Sequence, residues 1–188
     1  MDVAPVRAEP DDGAEQVTQA LAGEPLAVEE RRDGWARIRT AYDYPGWIHE
    51  DALASGTGTG TWPGASPANR DVLEQARSYL GAPYEWGGMT ERGIDCSGLV
   101  HMAHRRLGRL VPRDAHEQEA AATVIDEAAA RPGDLICFGD PGRAHHIAFW
   151  LGDGRILHAT QRAGINGVVE EPLANVDARP RRFVRLGS

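Results

Sequence analysis

The sequence predicts an α+β protein in two unequal parts, on three observations. Residues 1 to about 54 carry short β-like runs broken by turns, with no sustained helical period. The stretch Ser55–Thr61 alternates Gly with Ser or Thr, the composition of a flexible linker. Beyond it helix signals come first and strand signals follow, the order of an α+β domain. The resulting boundaries are a small all-β barrel over 1–55, a linker over 56–65 and a larger domain over 66–188.

In the first part the clearest strands are Leu26–Glu29, Trp35–Arg39 and Gly46–His49. Asp33-Gly34, between the first two, is a hairpin signal. So small a barrel is marginal alone and is expected to pack on its neighbour. The second part opens with a helix capped by Ser66, with Pro67 in its first turn, Leu73, Ala76 and Leu80 on one face, and Gly81 at its end. A second helix holds Cys96 in its first turn, repeats Leu99, Val100, Ala103 and Leu107, and stops at Gly108. A third is expected from Asp114 to about Thr123. Strands are expected over 134–138, 146–151, 155–159, 167–170 and 182–186.

All 20 basic residues are Arg, so an isolated Arg carries little weight. The net charge of −8 divides as −7 over residues 1–55 and −1 over the rest. An acidic first domain argues against nucleic acid or an anionic membrane as partner. There is no apolar run of membrane-spanning length. The start, Met1–Pro5, is neither basic nor apolar, so the expected location is cytoplasmic. Export is the alternative should a leader have been removed. The protein is expected to act as a monomer.

Two cysteines in unlike contexts do not form a disulfide framework. Cys137 lies within Leu135–Phe138, a buried strand, and belongs to the core. Cys96 at a helix start meets unpaired N–H groups and the positive end of the helix dipole, which favour thiolate. It is the candidate nucleophile if the chain supplies a base. His101, His104 and His116 fall on expected helices and His49 in the other domain, leaving His145, His146 and His158. Strand alternation puts His146, Ala148 and Trp150 on one face. With a three-residue loop over Gly152–Gly154, His158 lands opposite Ala148 on that same face; a plain two-residue Asp153-Gly154 loop puts it opposite Phe149, on the wrong one. A Cys–His–His set therefore requires an odd loop or a bulge, with His146 as base and His158 as its orienter. A zinc site is the competitor, but CxxC and HExxH spacings are absent, and neither metal nor cofactor is expected.

These residues resemble the NlpC-type cysteine peptidases of bacterial peptidoglycan, which have a papain-like fold. The matching blocks run in order from 66 to 186: Gly81–Gly88, Gly93–Val100, Pro112-Arg113-Asp114, Arg131–Leu135, His146–Gly154 and Ile156–Ala159. The first domain resembles a bacterial SH3-like domain through Val6–Pro10, Gln19–Glu24 and Asp43–Ile48. The pairing resembles the γ-D-glutamyl-L-diamino acid endopeptidases, which cut stem peptides whose terminal L-Ala amine is free. The resemblance implies Cys96, His146 and His158 as catalytic residues. It implies Tyr84, Asp95 and Ser97 as lining the substrate pocket, with Glu9 and Tyr44 reaching in from the SH3-like domain. Where relatives often have Ser after Pro-Arg-Asp, this chain has Ala115.

A carboxylate at Asp95 raises the pKa of the neighbouring thiol, a cost that makes sense if Asp95 holds a cation. The substrate's ammonium is the natural one; capping the Cys96 helix is the other use of an Asp there. The expected reaction is thiolate attack on the γ-D-Glu carbonyl, with the oxyanion at the Cys96 N–H and the Tyr84 hydroxyl. His146 then protonates the leaving amine and activates water. The expected substrate is L-Ala-γ-D-Glu-diamino acid in wall recycling; the alternatives are an exported hydrolase or amidase on intact wall, or a non-catalytic wall-binding protein.

Overall fold

The computed structural model describes residues 3–54, 71–176 and 180–187. The linker over 56–65 and the expected cap residues Ser66 and Pro67 lie outside the described residues. In the first part β1 (Val3–Arg7), β2 (Gln16–Leu21), β3 (Leu26–Arg32), β4 (Trp35–Thr40) and β5 (Pro45–His49) form an antiparallel sheet ordered β2-β1-β5-β4-β3. Arg32 pairs with Trp35, so Asp33-Gly34 is a two-residue turn. Both its residues have positive φ, +51° and +81°, the type I′ geometry that matches strand twist.

The core of this barrel is thin. Its aliphatic cluster is Val6, Ile38 and Ile48 beside Ala4, Ala20 and Ala36, with Trp35 and Trp47 buried outside that cluster. At about 1.5–3 kcal/mol for each large aliphatic, further support comes from the second domain. Strand β2 lies along the 84–90 loop: Gln16 Nε2 donates to Glu85 Oε1 (3.0 Å) and the Trp86 carbonyl (2.8 Å), and the Met89 N–H donates to Gln19 Oε1 (2.9 Å). Glu24 and Arg105 form an ion pair at 3.5 Å with both side chains shut off from solvent.

The second part contains α1 (Val72–Arg77), β6 (Met89–Thr90), β7 (Gly93–Ile94), α2 (Cys96–Arg105), α3 (Ala115–Ala120), β8 (Ala122–Ile125), β9 (Leu135–Phe138), β10 (His146–Gly152), β11 (Arg155–Arg162), β12 (Ile165–Pro172) and β13 (Arg181–Leu186). The sheet order is β12-β11-β10-β9-β13-β8, antiparallel throughout. Helix residues Leu73, Ala76, Leu99, Val100 and Ala103 pack with Ile147, Phe149 and Leu157 from the sheet. The opposite face gathers Ala148, Trp150, Ile156 and Phe183 into a second cluster.

Two expectations need correction. Helix α1 runs from Val72, where Asp71 accepts from the Leu73 N–H, to Arg77, and ends short of the expected Gly81. Helix α3 ends at Ala120, and residues expected as its last turn pair with β13 as edge strand β8. The β-branched run Thr123-Val124-Ile125 favours a pleated edge over a helix.

The β10–β11 hairpin resolves the loop question. Gly152 pairs with Arg155, so Asp153-Gly154 is a two-residue turn, with φ +49° and +71°. The register then slips by one between Trp150 and Gly152: Leu151 is bulged, Trp150 faces Ile156 and Phe149 faces Leu157. That slip restores the parity that a plain two-residue turn breaks. Ala148, Trp150 and Ile156 share one cluster while Ile147, Phe149 and Leu157 share the other.

Candidate active site

Cys96 is the first residue of α2, so its N–H has no carbonyl partner within the helix. Asp95 caps the helix, accepting from the Gly98 N–H at 2.6 Å. The loop carrying Gly88 presses onto this first turn: a Cβ on Gly98 would sit 2.4 Å from the Gly88 carbonyl oxygen, so a larger residue there would force them apart. The cysteine sulfur is buried and receives hydrogen bonds from the N–H groups of Ile147 and Ser97. It therefore lies against the β10 backbone at Ile147, the residue that follows His146.

Burial, and then the Asp95 charge, push the Cys96 thiol up to about 12, outweighing those N–H bonds and Arg113. Burial, and then His158 and His145, bring His146 down to about 3. Burial thus works against the charged form of each group taken alone. Cys137 sits in β9 with no exposure, a core residue whose thiol burial also pushes up to about 12.

His146 Nε2 lies 2.8 Å from His158 Nδ1. The β10–β11 ladder ends at Phe149–Leu157, and the two imidazoles meet just past its last pair. His158 is buried, and its Nε2 lies 2.8 Å from Glu171 Oε1 on β12. Nothing in composition or spacing singled out Glu171. The turn Ala163-Gly164, which sets Arg162 opposite Ile165, could have located it, because the same register puts Glu171 diagonally across from His158.

Asp95 meets its cation within the protein. Arg113 binds it bidentately, Nη1 to Oδ1 at 3.0 Å and Nη2 to Oδ2 at 2.8 Å. Oδ1 also accepts from Ser97 Oγ (3.2 Å), and Oδ2 from the Gly87 N–H (2.8 Å). The carboxylate is full and buried, which corrects the expectation of an ammonium there. Arg113, 1% exposed, also reaches Thr18 of the barrel at 3.1 Å.

A cleft of about 350 Å³ opens over Cys96 between the two domains, lined by Asp95, Ser97, Tyr44, Asp114, Ala115, His116, Ala144 and His145, with Glu15, Val17 and Trp86. Tyr44 lines this cleft from the first domain, its hydroxyl donating to Asp114 Oδ2 at 2.9 Å. Tyr84 is half-buried; burial, and then the Cys96 and Asp95 charges, raise its pKa, so it remains a hydroxyl donor. Glu9 does not line the cleft. It is exposed in the β1–β2 turn, where its carbonyl accepts from the Asp11 N–H. Glu15, at the far side of that turn, takes the position instead and accepts from Trp86 Nε1 at 2.6 Å. Asp114, Glu15 and Trp86 were not singled out as site residues, although Asp114 lies in the Pro-Arg-Asp block. Among the described residues no group of three or more His, Cys, Asp or Glu could hold a metal ion.

Residues 81–179 match the model of the NlpC/P60 family, and residues 6–53 match that of the bacterial dipeptidyl-peptidase SH3 domain. A γ-D-glutamyl-L-lysine dipeptidyl-peptidase of Bacillus cereus is 35% identical over 97 residues, covering 50% of this chain and 29% of that protein. The peptidoglycan endopeptidase RipB of Mycobacterium tuberculosis is 38% identical over 106 residues, covering 50% of this chain and 44% of that protein. The chain thus spans less than half the length of either relative. The NlpC/p60 domain of the peptidoglycan hydrolase SagA superposes with a TM-score of 0.55 at 32% identity, covering 61% of this chain and 96% of that domain.

Proposed function

The chain belongs to the NlpC/P60 family, and from that premise we propose a cysteine endopeptidase for the γ-D-Glu to L-diamino acid bond of stem peptides with a free N-terminal L-Ala. The observation that carries the reading is the Cys96 sulfur at the start of α2, against the amide of Ile147, whose neighbour in the chain, His146, is held by His158 at 2.8 Å. A nucleophile, a base and an orienting group are the parts of thiol acyl transfer.

In this reading both partners rest neutral, and His146 takes the thiol proton as sulfur attacks the γ-carbonyl. The oxyanion forms against the free N–H of Cys96 and the Tyr84 hydroxyl. His146 returns the proton to the leaving amine of the diamino acid, which departs. The imidazole then activates the water that releases L-Ala-D-Glu. The relative named for γ-D-glutamyl-L-lysine cleavage supports this bond.

Selection for a free amine falls to Asp114. Arg113 neutralises Asp95, whereas Asp114 faces the cleft with uncharged donors on its carboxylate, the Tyr44 hydroxyl at Oδ2 and the Glu117 N–H of the α3 capping box. Glu15 adds a second carboxylate at the rim. An ammonium pairs with such a site; an acylated amine leaves its carboxylates unpaired. Free stem peptides are breakdown products of the wall, so the role is recycling of murein peptides.

The test is mass spectrometry of L-Ala-γ-D-Glu-diamino acid incubated with the protein and two variants. Cys96→Ala should keep its circular dichroism spectrum and lose cleavage. Asp114→Asn should raise KM for the free peptide about 10–100-fold with kcat little changed. Cleavage by Cys96→Ala would overturn the nucleophile, and an unchanged KM in Asp114→Asn would overturn the amine site.

A further inference from the structure

We infer that Glu171 is a positioning residue that sets the tautomers of His158 and His146, so that His146 presents an unprotonated Nδ1 as base. The inference rests on the reading of Cys96 and His146 as nucleophile and base.

An ionised carboxylate only accepts hydrogen bonds. Glu171 Oε2 accepts from Asn175 Nδ2 at 3.0 Å and from Arg162 Nη2, which leaves Oε1 facing His158 Nε2 at 2.8 Å. Burial raises the Glu171 pKa, but the bonds from Asn175, His158 and Arg162 outweigh it and hold the group below the ordinary carboxylate range. Glu171 is thus an anion at neutral pH, and His158 Nε2 must carry the proton. Neutral His158 then has a bare Nδ1. That atom lies 2.8 Å from His146 Nε2, which must be the donor. With its one proton on Nε2, neutral His146 has its lone pair on Nδ1. One buried acceptor therefore decides, through two rings, which atom of His146 is the base.

The same anion acts on charge. During attack His146 becomes imidazolium. The groups facing the pair are Glu171 on β12, Arg162 on β11, His145 beside His146, and Asp95 at the start of α2. Glu171 and Asp95 favour the protonated rings; Arg162 and His145 oppose them.

Glu171→Gln separates this role from packing. The amide has nearly the shape of the carboxylate but can turn its NH₂ toward His158 Nε2, reversing both hydrogen bonds and placing the His146 proton on Nδ1. In the native protein labelled with ¹⁵N-histidine, ring spectra at neutral pH should show Nε2–H and bare Nδ1 for both His146 and His158. The Gln variant should show the opposite tautomer or a mixture, with kcat reduced about 10²-fold and KM unchanged. Loss of the negative charge should also move the acid limb of kcat/KM to lower pH, a change that mere loosening of the fold would not produce. Should the Gln variant fail to fold, Glu171→Asp retains an acceptor-only group and should keep the native ring pattern. Ring spectra and an acid limb both unmoved in Glu171→Gln, or altered tautomers in Glu171→Asp, would overturn the inference. Ring spectra are read without substrate. A native protein that cleaves nothing would therefore sink the endopeptidase reading while the tautomer result still decides the role of Glu171.

Discussion

Cys96 and His146 show how a residue's chemistry depends on where the fold puts it. At the start of a helix a thiol is expected to ionise easily. Here burial and the Asp95 charge push it up to about 12, while burial brings His146 down to about 3. Without a preformed thiolate at neutral pH, alkylation of Cys96 by iodoacetamide should be slow at pH 7 and rise about tenfold per pH unit into the alkaline range. A rate flat above pH 6 would indicate a standing thiolate–imidazolium pair. Activity is lost when His146 is protonated and cannot accept the thiol proton. Because its pKa is lowered, the acid limb of kcat/KM should fall well below pH 6.5, with no inflection near neutrality. Cys96 as the candidate nucleophile was legible from its helix-start context, and Cys137 as a core residue from its apolar run. The raised pKa was not, because burial and the position of Asp95 relative to the sulfur arise only on folding.

At the scale of elements, the start of α2 is held by a buried ion pair. Arg113 and Asp95 have side chains 1% and 8% exposed, and each is hydrogen-bonded beyond its partner. Removing one member strands the other charge, so Arg113→Met should lower stability by about 3–5 kcal/mol, read from urea unfolding. A loss under about 1 kcal/mol would mean the pair behaves like a surface salt bridge. Helix α2 itself was readable: Asp95 at its cap, the apolar spacing and Gly108 past its end are local signals. Its clamp was not, since a lone Arg in a Lys-free, Arg-rich chain gives no sign of burial. The bulge at Leu151 falls between these cases. Alternation showed that a plain two-residue turn would set His158 on the wrong face, but which residue would absorb the slip depended on pairing with β9 and β11. Edge strand β8 was missed because the alanines before it extend a helical pattern, while its partner β13 lies about sixty residues away in sequence.

At the scale of the whole molecule, the thin-cored barrel and the second domain complete each other around the cleft. The barrel supplies Tyr44 and Glu15, and the second domain supplies Cys96, Asp114 and His145. That a small barrel would lean on its neighbour followed from its size; the contact through Glu15 in place of Glu9 depended on how the β1–β2 turn folds. The packing also buries neutral histidines. His101, with no exposure, is brought down to about 3 and His104 to about 4, in both cases chiefly by burial. Between pH 6.5 and about 4 the unfolded chain binds protons that the fold refuses, so stability is full above 6.5 and falls as pH drops. Each buried histidine should contribute a slope of up to about 1.4 kcal/mol per pH unit. Urea midpoints at pH 7 and pH 5 measure this, and equal midpoints would contradict it. The central claim, a cysteine endopeptidase gated by a free amine at the domain boundary, is tested most directly by one pair of digests. L-Ala-γ-D-Glu-meso-diaminopimelate and its N-acetylated twin are incubated with the protein and read by mass spectrometry. The account predicts L-Ala-D-Glu and free diaminopimelate from the first and an intact second peptide. Cleavage of both would contradict the amine gate, and cleavage of neither would contradict the endopeptidase.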